Sequence, residues 1–434
     1  MTGEWTSLPI EDCMEALIDY RGKTPTKTTF GIPLITAKVV KGGRIETPDE
    51  FIAVDDYELW MRRGIPKAGD VVITTEAPLG EVAQLGAERV ALAQRLITLR
   101  GKDGLLDNGF LKFLMQSENV QDQLRARASG STVLGIKQSE LRKVILTLPP
   151  IDEQRSIAHI LGTLDDKIEL NRHINETLEA IARAIFKSWF VDFDPVRAKA
   201  SGEAPDSICR RLGLTPDLLA LFPDRLVDSE LGEIPEGWRP GTLGEVAEHP
   251  RRGIQPTQIL PNTPYIGLEH MPRRCIALSE WGMADGVESN KFKFNIGEIL
   301  FGKLRPYFHK VGVAPVDGIC STDIVVIIPK SREWFGFVLG HISSDAFVDH
   351  ANAGSTGTKM PRTNWADMSH YSIAVPPDYV AEAFASLIRP KIDYINAGIH
   401  EARTLASLRD TLLPKLLSGE LRVPEAETIM AALA

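Results

Sequence analysis

The segment Gly130-Ser131-Thr132-Val133-Leu134-Gly135-Ile136-Lys137 sets two hydroxyls, a permissive backbone and a cation within one short stretch. Hydroxyls, backbone N–H groups and lysine are what contact with a nucleic-acid phosphate uses. Gly354-Ser355-Thr356-Gly357-Thr358-Lys359 repeats the arrangement in the second half. Such residues also build ordinary turns before strands, but recurrence favours binding. The candidates from the loops are Ser131, Thr132, Lys137, Ser355, Thr356, Thr358 and Lys359. Arg21, Lys23, Lys38, Lys41, Arg44 and Arg95 join them from the first half, and Arg251, Arg252, Lys303, Arg305, Tyr307 and Lys310 from the second. Each of these alone is more often a solvated surface group.

No catalytic constellation accompanies them. Gly22-Lys23-Thr24 imitates the end of a phosphate-binding loop, but Leu17 stands where that motif needs its first glycine. There is no Gly-x-Gly-x-x-Gly and no Asn/Asp-Pro-Pro-aromatic signature. His270, His309 and His341 are isolated, without metal-ligand spacing. Cys13, Cys209, Cys275 and Cys320 are far apart, which fits reduced thiols in a cytoplasmic protein better than a zinc site or a disulfide framework. No catalytic, metal or cofactor site is expected in this chain.

With 434 residues, two to four domains are expected. No apolar run approaches the ~20 residues that span a bilayer. A net charge of −9 argues against a simple basic DNA-binding domain. The charge is uneven. Residues 201–236 carry eight acidic side chains against three arginines, which reads as an acidic linker with one short helix near 206–214.

The elements that would position the candidates occur twice. Pro149-Pro150 lies over Pro376-Pro377, Gly130-Ser131-Thr132 over Gly354-Ser355-Thr356, and Ala68-Gly69-Asp70 over Ile296-Gly297-Glu298. Pro33-Leu34-Ile35 lies over Pro264-Tyr265-Ile266, Arg21-Gly22 over Arg252-Gly253, and Trp5 over Trp238. Matches in one order are the mark of a duplication. Short apolar runs read as strands: Val71-Val72-Ile73, Leu96 to Leu99 ended by Arg100, Val144-Ile145-Leu146, and their counterparts Ile299-Leu300-Phe301, Ile324 to Ile328 and Ile373-Ala374-Val375. Helical segments are expected over 109–127 and 335–350.

After each Pro-Pro comes a long helical pattern. Ile157, Leu161, Leu164, Ile168, Leu178, Ala182, Ile185 and Trp189 step by three and four, the seam of a helix that lies against another. Asn171 and Asn175 fall inside that seam, either as core polar residues that fix register or as solvent-facing ones. A helix over 152–190 would be roughly 58 Å long. The second pattern runs from Phe384 to Leu416, with Pro390 predicting a kink or a later start.

These stretches resemble the specificity subunit of Type I restriction–modification systems. The resemblance is carried by Gly130 to Lys137 with Pro149-Pro150-Ile151-Asp152-Glu153-Gln154, and by Phe186-Lys187-Ser188-Trp189-Phe190-Val191-Asp192-Phe193-Asp194-Pro195. Gly232-Glu233-Ile234-Pro235-Glu236-Gly237-Trp238 and Leu412-Leu413-Pro414-Lys415-Leu416-Leu417-Ser418-Gly419-Glu420-Leu421 extend it to nearly the whole chain. The second helix departs from the pattern, opening Pro377-Asp378-Tyr379-Val380 in place of Pro-x-x-Glu-Gln.

The resemblance implies an α+β chain of two repeated target recognition domains joined by two long antiparallel coiled-coil helices, with pseudo-two-fold symmetry. The expected parts are recognition domains at 1–150 and 237–376, long helices at 151–195 and 377–421, the acidic linker at 196–236 and a tail at 422–434. It implies that the chain is a non-catalytic subunit that binds double-stranded DNA at a split target. Modification subunits would dock on the helices, bind S-adenosylmethionine and methylate adenine. Restriction subunits would use ATP and Mg for translocation and cleavage. The alternatives are a DNA-binding scaffold of another defence or modification system, and an enzyme whose site escapes the motifs above.

Overall fold

A computed structural model describes residues 5–20, 24–130, 132–357 and 359–431. The chain forms two compact units, one of Met1–Lys167 with Leu405–Ala434 and one of Ile168–Thr404.

In the first unit, Val71–Thr75 is buried at all five positions, so it reads as a continuous apolar run instead of an alternating one. It pairs with Leu96–Gly101 and Leu79–Gln84, and Met14–Asp19 completes an antiparallel sheet. The Leu96–Gly101 strand does not stop at Arg100. That guanidinium grips the buried Asp70 through two hydrogen bonds of 2.7 Å, so the charge is satisfied inside the sheet.

Two helices cover one face of this sheet, Asn108–Gln116 and Glu118–Arg127, where one was expected. The break falls at Ser117, whose extended backbone ends one helix and whose hydroxyl caps the next. Asp107 caps the first, accepting from Phe110 N at 2.9 Å. In the second unit the break recurs between Phe335–Ile342 and Asp345–Ala353, with Ser344 as the cap.

The second unit repeats the topology. Its central sheet runs Ala247–Glu248, Ile324–Pro329, Ile299–Gly302, Val311–Val313, and Phe301 pairs with Val325 as Ile73 pairs with Ile97. Each unit adds a parallel pair, Ile35 with Leu92 and Ile266 with Cys320. Each closes with an antiparallel pair, Thr6–Pro9 with Ile145–Leu148 and Arg239–Thr242 with Ser372–Val375. The turns before the central strands match in detail. Gly69 and Gly297 have φ of +85° and +82°. The carboxylates that follow, Asp70 and Glu298, accept from Lys67 N at 2.8 Å and Asn295 N at 2.9 Å.

The long helices are Ile151–Phe190 and Asp378–Ser418, of 40 and 41 residues. Pro149-Pro150 stands just outside the first, where a missing N–H costs nothing. Gln154, 1% exposed, fixes that start: its side-chain nitrogen donates to the Leu105 and Pro149 carbonyls and its oxygen accepts from Asp107 N. The second helix runs unbroken past Pro390, which sits on the exposed side, and Lys391 Nζ donates to the Leu387 carbonyl at 3.0 Å.

The helices complete the cores of the units. In the first, Ile157, Ile160, Leu161 and Leu164 join Leu412 and Leu416. In the second, Phe186, Trp189 and Phe190 pack with Phe384, Phe337 and Trp238. Within each unit the helices run antiparallel, as Glu153 meets Arg422 and Asn171 meets Glu401. Asn171 and Asn175 are buried in the seam, 9% and 7% exposed, which decides between the two readings of them.

Residues 196–236 are not an open linker. Asp194–Ala200, Pro205–Leu212 and Pro216–Ala220 are helices, and Leu226–Ser229 pairs with Gly232–Pro235. Ile208, Leu214, Leu219 and Phe222 are buried in the second unit's core, with Phe222 edge-on to Trp189 at 4.9 Å. The acidic excess had masked this apolar side. The carboxylates stay on the outer one, none of them buried.

Candidate nucleic-acid interface

The 130–135 loop is pinned at the end of the central strand. Ser129 and Gly135 exchange backbone hydrogen bonds of 2.8 and 2.9 Å, and Ile136 N donates to the Thr75 carbonyl at 3.0 Å. Gly130 has φ +122°, and a Cβ there would lie 2.1 Å from the Val133 carbonyl oxygen, so only glycine closes the loop.

The second unit builds the same loop. Thr356 and Arg362 exchange bonds of 3.0 Å, and Thr363 N donates to the Lys303 carbonyl at 3.1 Å. The structural counterpart of Gly130 is therefore Gly357, φ +100°, and not Gly354. Gly354 is the C-cap of the preceding helix with φ −76°. The Gly-Ser-Thr triplet recurs three residues upstream of its apparent place, so the match of triplets misaligned the loops. Ala77 and Arg305 also correspond, each left-handed (φ +50° and +52°) and each before a proline.

A groove opens beside each loop. In the first unit Thr75, Glu76, Gln94, Arg95 and Lys137 line a space of about 480 Å³. Gln94 and Arg95 also border a neighbouring hollow with Lys27, Lys38 and Glu50. In the second unit His249, Arg251, Phe292, Lys303, Asn364 and Trp365 line about 150 Å³; Lys303 and Asn364 stand where Thr75 and Lys137 stand in the first unit, while the rest of the lining differs. Burial pushes the His249 imidazole below its ordinary pKa, and Arg251, Lys303 and Arg252 add to that. Cations together with amide, carboxylate and imidazole groups form the donor and acceptor set that contacts phosphates and base edges.

The sequence candidates divide accordingly. Arg95 and Lys137 meet in the first groove, with Lys38 in the adjoining hollow. Arg251 and Lys303 meet in the second, while Arg305 N donates to the Pro361 carbonyl in the adjoining loop at 2.8 Å. Thr132, Thr356, Lys359 and Tyr307 are exposed. Lys41 and Arg44 lie together on a short hairpin that borders neither groove, and Lys41 pairs with Glu46 at 3.3 Å. Arg252 is half-buried and tied to Glu298, so its charge serves the turn. Lys310 Nζ donates to the Leu268 carbonyl at 2.5 Å, and burial, then Arg273, lowers its pKa. Ser355 belongs to the helix end, its hydroxyl bonded to the Asn352 carbonyl at 2.6 Å. Arg21, Lys23, Ser131 and Thr358 lie outside the described residues.

Glu76, Gln94, His249, Asn364 and Arg362 were missed. A search for cations and Gly-rich loops does not find neutral or acidic groups; of the five, the repeat in the register above points only to Asn364, which falls on Lys137, while Arg362 is a cation bound to Asp323. Among the described residues, no three His, Cys, Asp or Glu side chains are grouped to hold a metal, and no helix is long and apolar enough to cross a membrane.

Two copies of one α+β fold, each with a pinned loop and a hollow beside it that holds at least one cation, define a two-module binding protein. Residues 3–180 match the family described as the Type I restriction modification DNA specificity domain. Over 97% of its length the chain is 27% identical to the Type I restriction enzyme MjaIX specificity subunit of Methanocaldococcus jannaschii, covering 94% of that protein. It is 26% identical to the EcoDI specificity subunit of Escherichia coli, across 73% of this chain and 71% of that one. A crystal structure of the Type I S subunit from M. genitalium shares the fold at TM-score 0.56 and 15% identity, covering 95% of this chain and 96% of that one. Along nearly its whole length the chain is thus similar to Type I restriction enzyme specificity subunits.

Proposed function

We propose that this chain is the DNA-recognition subunit of a Type I restriction–modification complex and reads a bipartite target, one half-site per unit. The observation that carries this is the duplication of the pinned loop at the same place in both halves of one chain, each with a hollow where the loop rejoins the fold. A split DNA target asks for two such readers, as a dimer supplies for paired half-sites. The long helices, each roughly 60 Å at 1.5 Å per residue, set the spacer and offer the docking surface for modification subunits.

In this reading the chain is not itself an enzyme and works in the cytoplasm. Modification subunits bind S-adenosylmethionine and methylate an adenine flipped from the stack. Restriction subunits use ATP and Mg. Arg95, Lys137, Lys303 and Arg251 face the DNA.

Co-expression with the modification subunits and genome-wide mapping of methylated adenines tests the proposal. A split motif with a fixed spacer is expected. A continuous motif, or none from an assembled complex, would overturn it. Exchange of residues 1–150 for those of a relative should change one half-site only.

A further inference from the structure

The tips of the two pinned loops hold apolar side chains out in solvent. Val133 is 47% exposed, Leu134 49% and Met360 49%. In the register that places Gly130 on Gly357, Val133 falls on Met360 and Leu134 on Pro361. A single exposed apolar side chain needs no explanation. Here the pattern recurs at the same place in two otherwise dissimilar segments, on loops whose ends are fixed by reciprocal backbone bonds. Exposed cations lie close in the chain to both tips, Lys137 after the first and Lys359 in the second.

An apolar tip flanked by cations suits a polyanion whose interior is apolar, which describes stacked DNA. Leucine, methionine and proline are among the side chains that enter base steps as wedges, while basic neighbours hold the backbone. We propose that Val133-Leu134 and Met360-Pro361 are a pair of wedges, each unstacking one base step of duplex DNA in the half-site read by its own unit. The inference rests on the DNA-recognition reading above. A pinned loop loses little conformational freedom on binding, so more of the contact energy is left to open the step. Pyrimidine–purine steps unstack most readily. A wedge therefore selects such a step without a hydrogen bond to either base, and each half-site should contain one.

The test uses the full chain assembled with its modification subunits and duplexes carrying the mapped target. 2-Aminopurine replaces successive adenines in both half-sites, apart from those the complex methylates. The expected result is a fluorescence rise at one step of each half-site. Val133→Ser with Leu134→Ser should abolish the first rise only, and Met360→Ser should abolish or weaken the second only. Each should weaken binding roughly tenfold without changing the slope of affinity against salt, because no phosphate contact is lost. These side chains are half exposed, so the fold tolerates the changes. Binding of normal salt dependence with no fluorescence rise would overturn the wedge alone. A rise that persists in both variants would overturn it too, since another residue would then open the step. No binding to the mapped duplex would overturn the recognition reading and the wedge with it.

Discussion

Arg409 Nη1 lies 2.8 Å from one oxygen of Asp165, and Lys112 Nζ lies 2.5 Å from the other. One carboxylate thus joins a helix of the first unit's α+β fold to both long helices. Asp165→Ala leaves two cations, with side chains 13% and 23% exposed, facing each other without an anion between them. Asp410 still pairs with Arg409 and both cations are part-exposed, so the loss should fall below the ~3–5 kcal/mol of a broken, fully buried pair, at roughly 2–3 kcal/mol. Urea unfolding should show it as a lower midpoint. An unchanged midpoint would mean that the node carries no stability.

His341 is fully enclosed among Phe186, Phe337 and Tyr371, and burial lowers its pKa to about 3. The unfolded chain takes up a proton at the ordinary histidine value near 6.5, while the folded chain does not. Stability is therefore lost as pH falls below about 6.5, at roughly 1.4 kcal/mol per unit, until the folded pKa is reached. His341→Phe should remove this component. The measurement is unfolding free energy at pH 7 and pH 5, and equal losses in parent and variant would refute the assignment.

Glu179 works in the opposite sense. It is buried, its carboxylate accepts from Ile276 N at 2.9 Å and Arg183 at 2.6 Å, and burial raises its pKa. The folded state holds the proton better, so stability gained from Glu179 grows as pH falls from neutral through its raised pKa. The gain is complete below the ordinary carboxylate range. Glu179→Gln should flatten that limb relative to the parent. A curve parallel to the parent's would show that Glu179 titrates normally.

Gly130→Ala forces a Cβ to 2.1 Å from the Val133 carbonyl, whereas Gly357→Ala meets Met360 O at 3.3 Å. Both also strain a left-handed backbone. The first substitution should weaken DNA binding by the assembled complex at least roughly tenfold, and the second less. Electrophoretic titration at fixed salt checks the order. A larger effect at Gly357 would contradict the loop geometry.

Lys137 stands at the N-cap position of the helix after the first loop, makes no capping bond with its side chain, and lines the groove. If it contacts a phosphate, Lys137→Ala should reduce the slope of log affinity against log salt by ~0.9. An unchanged slope would exclude that contact.

Much of this architecture was legible in the sequence because periodicity reports burial. Val71-Val72-Ile73 is uniformly apolar since both faces of the strand are covered, and the seam of the first long helix shows its steps from Ile157 to Trp189. The pairing of loops was not legible. Gly354 and Gly357 are three residues apart, and only the left-handed backbone of the second marks it as the partner of Gly130. Composition also misled over residues 196–236, because net charge says nothing about where Ile208, Leu219 and Phe222 point. Arg252 looked like a DNA contact because its partner Glu298 is distant in sequence. Asn171 and Asn175 stayed ambiguous until Glu401 and Gly398 appeared opposite them.

The folded acidic segment has an electrostatic consequence. Were residues 201–236 a floppy tether, their eight carboxylates would spread a weak, averaged field. Packed against Trp189 and the core beneath it, the segment holds them in place on the second unit; Glu203, Glu233 and Glu236 pair with Arg211, Arg197 and Arg225, and the remaining excess of negative charge is fixed there. A polyanion that comes within a Debye length of it, about 8 Å at physiological ionic strength, meets a repulsion that does not average out. Encounters are thereby biased toward other faces of the unit, and the bias fades as salt rises. A protein of net negative charge can in this way favour one orientation of approach with repulsion as well as attraction.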